Sequence, residues 1–203
     1  MSKDKQENSL QYHKACHYLT FNTVDWVDVF IRPAYKEVIA DTLNYFVEKC
    51  GFTVFAWCLM SNHLHLLAQA KDGSGLAQVE KEFKKVTTQR ILEAIDQEPE
   101  LRRGWMLQRF EQFSHNLKKI ERFQLWQSCS NPVFIDFKQV FKLQERLLYI
   151  HENPVRDKLT YIPQDYLYSS AGDYAGTRKG PVKVHVINFE DLRRSIVRPD
   201  SST

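Results

Sequence analysis

A nearly continuous apolar run, FTVFAWCLM at 52–60, is followed after only Ser61 and Asn62 by a second, HLHLLAQA at 63–70. Runs of this length, rich in aromatic and branched residues and bounded by turn formers, read as strands, and so short a connection makes them an antiparallel hairpin. Everything else must pack around it. Upstream, CHYLTFNTV at 16–24 reads as another strand. Residues 34–50 place Val38, Ile39, Leu43, Phe46 and Val47 at helical spacing, with Gly51 as the stop. Downstream, 76–96 repeats the helical pattern (Val79, Phe83, Val86, Ile91, Leu92, Ile95) until Pro99, and 100–125 continues as a basic, aromatic helix. A polar loop, Gln127 to Pro132, leads to the short strand VFI, and 136–152 form a late helix that ends at Asn153-Pro154. Strand fragments at 182–189 and a basic turn from Asp191 to Arg198 complete the chain. This order predicts an α+β fold: a ferredoxin-like antiparallel sheet with helices packed on one face.

The remaining numbers act mainly as exclusions. A chain of 203 residues, 43% hydrophobic, buries a core without disulfides or a structural metal. No apolar stretch approaches the roughly 20 residues a membrane helix needs, and the polar opening MSKDKQENSL is not read as a secretory signal. Cys16, Cys50, Cys58 and Cys129 are scattered with no close pair, so they read as reduced thiols. The expectation is a cytoplasmic protein with no membrane partner. Twenty-eight Lys and Arg against 25 Asp and Glu give only +3, so any attraction for polyanions depends on where the charges sit. Gly-rich phosphate loops, GxSxG elbows and HExxH helices are absent, which removes several enzyme classes.

Three groups of residues carry chemistry. His63 and His65 are two apart on a strand and so project from one face, half of a site for a divalent cation. By themselves, two strand histidines also fit a merely polar face. Tyr149 and Asn153 are four apart on the late helix and share a side of it. A tyrosine hydroxyl beside a cation is a nucleophile in waiting, and an asparagine offers a carbonyl oxygen to the same cation. Spacing alone does not bring Tyr149 to His63. The third group interleaves base and ring: Arg102, Arg103, Trp105, Arg109, Phe110, Phe113, Lys118, Lys119 and Arg122, joined by Lys84, Lys85, Arg90 and Arg146 if their helices share a face. Such residues neutralise phosphates and stack unpaired bases, although a solvated basic face gives the same pattern.

Five motifs occur in one order: AWCLMSNHLHLL (56–67), FKKVTTQRI (83–91), LWQ (125–127), YIHENPVRDKL (149–159) and YLYSSAGDY (166–174). This series resembles the single-tyrosine HUH transposase superfamily, and within it the REP-associated tyrosine transposases. The resemblance spans about 15–175, leaving a flexible tail (1–14) and a C-terminal extension (176–203) without counterpart. It implies a metal-dependent single-stranded DNA endonuclease and strand transferase acting on hairpin-bearing DNA, as a monomer or a homodimer. It further implies Tyr149 as the nucleophile that becomes joined to the 5′ end, and His63, His65 and Asn153 as ligands of Mg2+ or Mn2+. The sequence departs from the pattern at Ser61, where relatives often carry Pro, in the segment 128–132, which is poorer in charge and rings, and at His151 and Glu152. Two alternatives stand beside this reading. One is a domesticated protein that binds structured nucleic acid without cleaving it; the other is a regulator whose histidines hold zinc.

Overall fold

The computed structural model describes residues 16–70, 75–116 and 122–197. Four strands, β1 (Cys16–Asn22), β2 (Phe52–Leu59), β3 (His63–Ala70) and β4 (Val133–Ile135), make one antiparallel sheet in the order β2-β3-β1-β4. Six helices surround it: α1 (Pro33–Lys49), α2 (Leu76–Gln97), α3 (Arg103–Asn116), α4 (Val140–Arg156), α5 (Ala171–Ala175) and α6 (Phe189–Val197). None of the described helices is long and apolar enough to cross a membrane, and all four cysteines are free.

The α+β class and the antiparallel sheet are as expected, but the helices cover both faces rather than one. Leu19, Phe21, Leu64 and Leu66 pack with α1, α2 and α3 on one side. On the other, Cys16, Leu67 and Ile135 pack with Leu143, Leu147 and Ile150 of α4 and Leu192 of α6. The reason lies in β2, which is buried at all eight positions; a strand with no polar face is stable only between two layers. A bulge between Val54 and Ala56 turns both Phe55 and Ala56 toward α4.

Three local expectations change. The late helix does not stop at Pro154 but carries it inside and ends at Arg156. Proline lacks the amide that Ile150 would otherwise receive, yet the turn beyond it closes through Asp157 N to Asn153 O at 3.0 Å and Leu159 N to Pro154 O at 2.8 Å. The basic helix is shorter than 100–125, because Gln124 to Trp126 run extended along the loop after β1, with Trp126 bridged to Thr23. There the Trp126 indole stacks on Phe30 and donates to Thr87 Oγ1 at 2.7 Å. The stretch 182–187 forms no strand: Lys183 N donates to Asn44 Oδ1 and only His185 N reaches β2, at Val54 O. Its side chains still enter both cores, through Val182 and Ile187.

β2 ends the sheet, but its outer edge is closed. Leu59 N donates to Tyr168 O, Ser170 N to Trp57 O, and Trp57 N to Ser170 Oγ at 3.0 Å. Ser170 Oγ also meets His151 Nε2 at 2.8 Å, which ties the SSAGDY segment to α4.

Candidate active site

β3 carries His63 and His65 on the α4 side of the sheet, opposite Asn22 and Thr20 of β1. Their ring centroids are 4.8 Å apart. His65 is only 4% exposed, and burial, with His63 beside it, pushes its pKa down to about 3, while Asn153 opposes the shift. Burial also lowers the pKa of His63, with the Asp157 carboxylate acting against it. Both imidazoles are therefore neutral at neutral pH, the form that binds a cation.

A hydrogen bond fixes which nitrogen of His63 is free. Asn62 Nδ2 donates to Trp26 O at 3.3 Å, so it is Asn62 Oδ1 that faces His63 Nδ1, at 2.8 Å. That nitrogen must carry the proton, leaving the Nε2 lone pair available. Around His65, Nδ1 lies 2.9 Å from Tyr18 Oη and 3.0 Å from Thr20 Oγ1, and Thr20 donates to Tyr18 at 3.2 Å. Nδ1 is therefore engaged on the β1 side, and a cation at Nε2 would take the tautomer whose Nδ1–H donates to one of these oxygens. His65 Nε2 is buried, has no close hydrogen-bond partner, and lies on the side of the ring that faces Asn153. A buried orphan nitrogen is unfavourable unless something else binds it.

α4 supplies the rest. Arg146, Tyr149, Asn153 and Arg156 follow each other at spacings of three and four along one side of the helix, while Leu143, Leu147 and Ile150 enter the core. The Tyr149 ring stands edge-on to His65 at 5.5 Å and to Tyr18 at 6.3 Å. Asn153 Nδ2 donates to Tyr149 O at 2.6 Å, which leaves its carbonyl oxygen to face His65. Arg156 lies over the Tyr149 ring at 5.0 Å and Arg146 over Tyr18 at 5.2 Å. The structure thus brings His63, His65, Tyr149 and Asn153 together. Tyr18, Thr20, Asn62 and Arg156 join them, none of which sequence reasoning singled out. The signal for Tyr18 and Thr20 was their alternation on β1, which puts them on the imidazole face once register is known.

No group of three or more His, Cys, Asp or Glu suited to a metal exists among the described residues. The donor set is two imidazoles and an amide oxygen, with the orphaned Nε2 of His65 aimed into it, and these fit a divalent cation. A hard cation such as Mg2+ keeps waters and substrate oxygens in its shell, so three protein donors suffice.

The basic candidates are dispersed. Arg146 alone among them lies against the imidazole face, over Tyr18. α2 and α3 belong to the opposite layer. There Lys84 pairs with Glu80 and reaches the carbonyls of Gln127 and Ser128, and Arg90 bonds Thr42 and Asp41. Arg102 clasps Glu100 and the Asp28 carbonyl, Arg103 pairs with Asp96, and Arg122 with Glu111. Lys85 is exposed. Lys118 and Lys119 lie outside the described residues.

Residues 15–110 match the family of IS200-like transposases. The matched segment holds the histidine pair and ends in α3, before Tyr149. A solved structure, that of a REP-associated tyrosine transposase bound to a REP hairpin, is similar to this chain with a TM-score of 0.56 and 14% sequence identity. The similarity covers 86% of this chain and 88% of that one, and at this identity it is a likeness of fold. No curated protein matches. The family match thus covers a little under half of the chain, and the likeness of fold extends over most of it.

Proposed function

Taking a chain similar to IS200-like transposases as the premise, we propose that it nicks and rejoins single-stranded, hairpin-bearing DNA with Tyr149 as the nucleophile. The carrying observation is the Tyr149 ring set 5.5 Å from His65, on the same helical stripe as Asn153. The family match does not reach Tyr149, so its role rests on this geometry.

His63, His65 and Asn153 would hold the cation, Mg2+ or Mn2+, which when bound polarises the scissile phosphate and offsets charge that develops during transfer. A free tyrosine hydroxyl is a poor nucleophile at neutral pH, so its surroundings must favour the phenolate. The Arg156 guanidinium over the Tyr149 ring and Arg146 on the same stripe put two positive charges where a phosphate would approach the hydroxyl. Tyr149 Oη attacks phosphorus, the P–O3′ bond breaks, and the phenol proton passes to water. The leaving strand ends in a 3′-hydroxyl, while the other is held as a 5′-phosphotyrosine. Attack by a 3′-hydroxyl reverses the step, so rejoining needs no nucleotide cofactor. Arg146 would grip the strand near the site, and Lys84, Lys85, Arg90, Arg102, Arg103, Lys118, Lys119 and Arg122 would contact the duplex part of the hairpin.

The test is a denaturing gel of wild type and Tyr149→Phe with labelled hairpin DNA from the gene's flanks, in Mn2+ and then in chelator. A slow band made only by wild type with metal is expected. Cleavage that survives Tyr149→Phe would overturn the assignment. Salt-sensitive binding without any adduct would favour the non-cleaving binder.

A further inference from the structure

We propose that Trp26 is a stacking platform for an unpaired nucleobase next to the phosphate held at the imidazole pair; the inference rests on the nucleic-acid reading of that site. Four observations converge on this residue. The residue is 55% exposed, an unusual state for the largest apolar side chain. It stands edge-on to His63 with centroids 6.4 Å apart, so the exposed indole borders the candidate cation site. Asp25 and Trp26 both lie in the left-handed region, at φ 52° and 53°. A bulky residue there is held by its surroundings against its own preference, and such conformations cluster at ligand clamps.

The fourth observation is the bracing. Trp26 N donates to Thr23 O at 3.3 Å, and Trp26 O accepts from Asn62, the residue that orients His63. Asp25 is ion-paired with Arg109 of α3 at 3.2 Å, and Arg102 donates to the Asp28 carbonyl at 2.9 Å. Part of the basic segment that the sequence offers as a DNA surface is thus also spent on holding this loop. One amide, Asn62, joins the platform to the imidazole.

The occupant follows from what the site must hold. A strand whose phosphate reaches His63 and His65 carries unpaired bases within a nucleotide of that phosphate, and Trp26 is the exposed ring beside it. Every base has a π-face, so stacking needs no hydrogen-bond code and serves any sequence. The residue would therefore set how tightly, and in which position, the single strand lies, without choosing its sequence.

The experiment uses the full chain with Tyr149→Phe, which blocks the adduct, in Mn2+. The probe is a fluorescein-labelled DNA hairpin carrying oligo(dT) flanks. Trp26→Ala should weaken binding about tenfold, within the range of base–aromatic stacking, and Trp26→Phe should restore most of it. Each flank thymidine is then replaced in turn by an abasic residue. One position should carry a penalty in the protein with Trp26 and none in Trp26→Ala. If Trp26→Ala proves unfolded by circular dichroism, Trp26→Leu replaces it, with the same expected loss of the abasic penalty. Binding within twofold of the parent, or identical abasic profiles in the two proteins, overturns the proposal. The two readings fail separately. An adduct from wild type with flat abasic profiles sinks the platform alone, whereas a Trp26-dependent position with no adduct from wild type sinks the nuclease and leaves the platform.

Discussion

Ser170 is the point at which the tyrosine helix is fastened to the sheet, and Ser170→Ala measures that fastening. Its hydroxyl is fully buried and has three partners: it accepts from Trp57 N at 3.0 Å and from His151 Nε2 at 2.8 Å, and donates to Trp57 O at 3.3 Å. Trp57 O keeps the Ser170 amide when the hydroxyl goes. Trp57 N and His151 Nε2 lose their hydroxyl partner. A stranded buried polar group costs about 1–3 kcal/mol, so the two together should cost roughly 2–4 kcal/mol once partial relaxation is allowed. For a chain of this size the midpoint of thermal unfolding should fall by roughly 5–15 °C. Urea and thermal unfolding followed by circular dichroism give both numbers. In a His151→Phe background the same substitution should cost less, with a coupling of about 1–2 kcal/mol, since one stranded group is already gone. A loss below about 0.5 kcal/mol, the level of an ordinary surface change, or strict additivity in the cycle, would refute the reasoning.

Burial predicts the order of cysteine reactivity: a thiol-specific reagent on the native protein should label exposed Cys129 quickly and half-buried Cys50 slowly. Cys16, whose pKa is pushed up to about 12 by burial, and the equally buried Cys58 should wait for denaturant; rapid labelling of all four would contradict the packing. Acid should destabilise the fold in a defined window. Burial holds His65 down to about 3 and His151 to about 4, while the unfolded chain takes up protons near 6.5, so stability is complete above that value and is lost as pH falls toward 3. His151 alone contributes about 3 kcal/mol to this change, and a urea midpoint equal at pH 7.5 and pH 4.5, in chelator, would count against it. Removing a phosphate contact should flatten the salt dependence of single-strand binding by about 0.7 in the log–log slope. Arg146→Ala is expected to show this change, and an unaltered slope would remove Arg146 from the binding surface.

Much of the molecule was legible because its signals are local. Apolar runs and a two-residue turn gave β2 and β3, and helical spacing with Gly51 gave α1 to within a residue. The pairing of His63 with His65, and of Tyr149 with Asn153, follows from strand and helix periods. What brings the two pairs together is the crossing of α4 over β3, a tertiary fact that only a family resemblance anticipated. The cover on both faces was written in β2 itself, whose lack of a polar face excludes a solvent side. Pro154 misled because its effect on the preceding residue is a tendency, and here carbonyls just before it find donors beyond it. The surroundings of the basic residues were hidden for a different reason: Arg102, Arg103 and Arg122 each have acidic partners that sequence separation conceals or that no rule assigns.

The outer edge of β2 has a consequence for how the chain is made. The β2–β3 hairpin is complete once residue 70 has been synthesised, but Trp57 meets Ser170 across 113 residues of chain. At translation rates of about 5–20 residues per second, the partners of that edge arrive roughly 5–20 s later. During that interval the most apolar strand of the protein presents open backbone groups, the surface on which strands of other chains add. The segment that fastens the tyrosine helix in the finished protein is thus also the one whose late arrival ends the period in which the nascent chain most needs a chaperone.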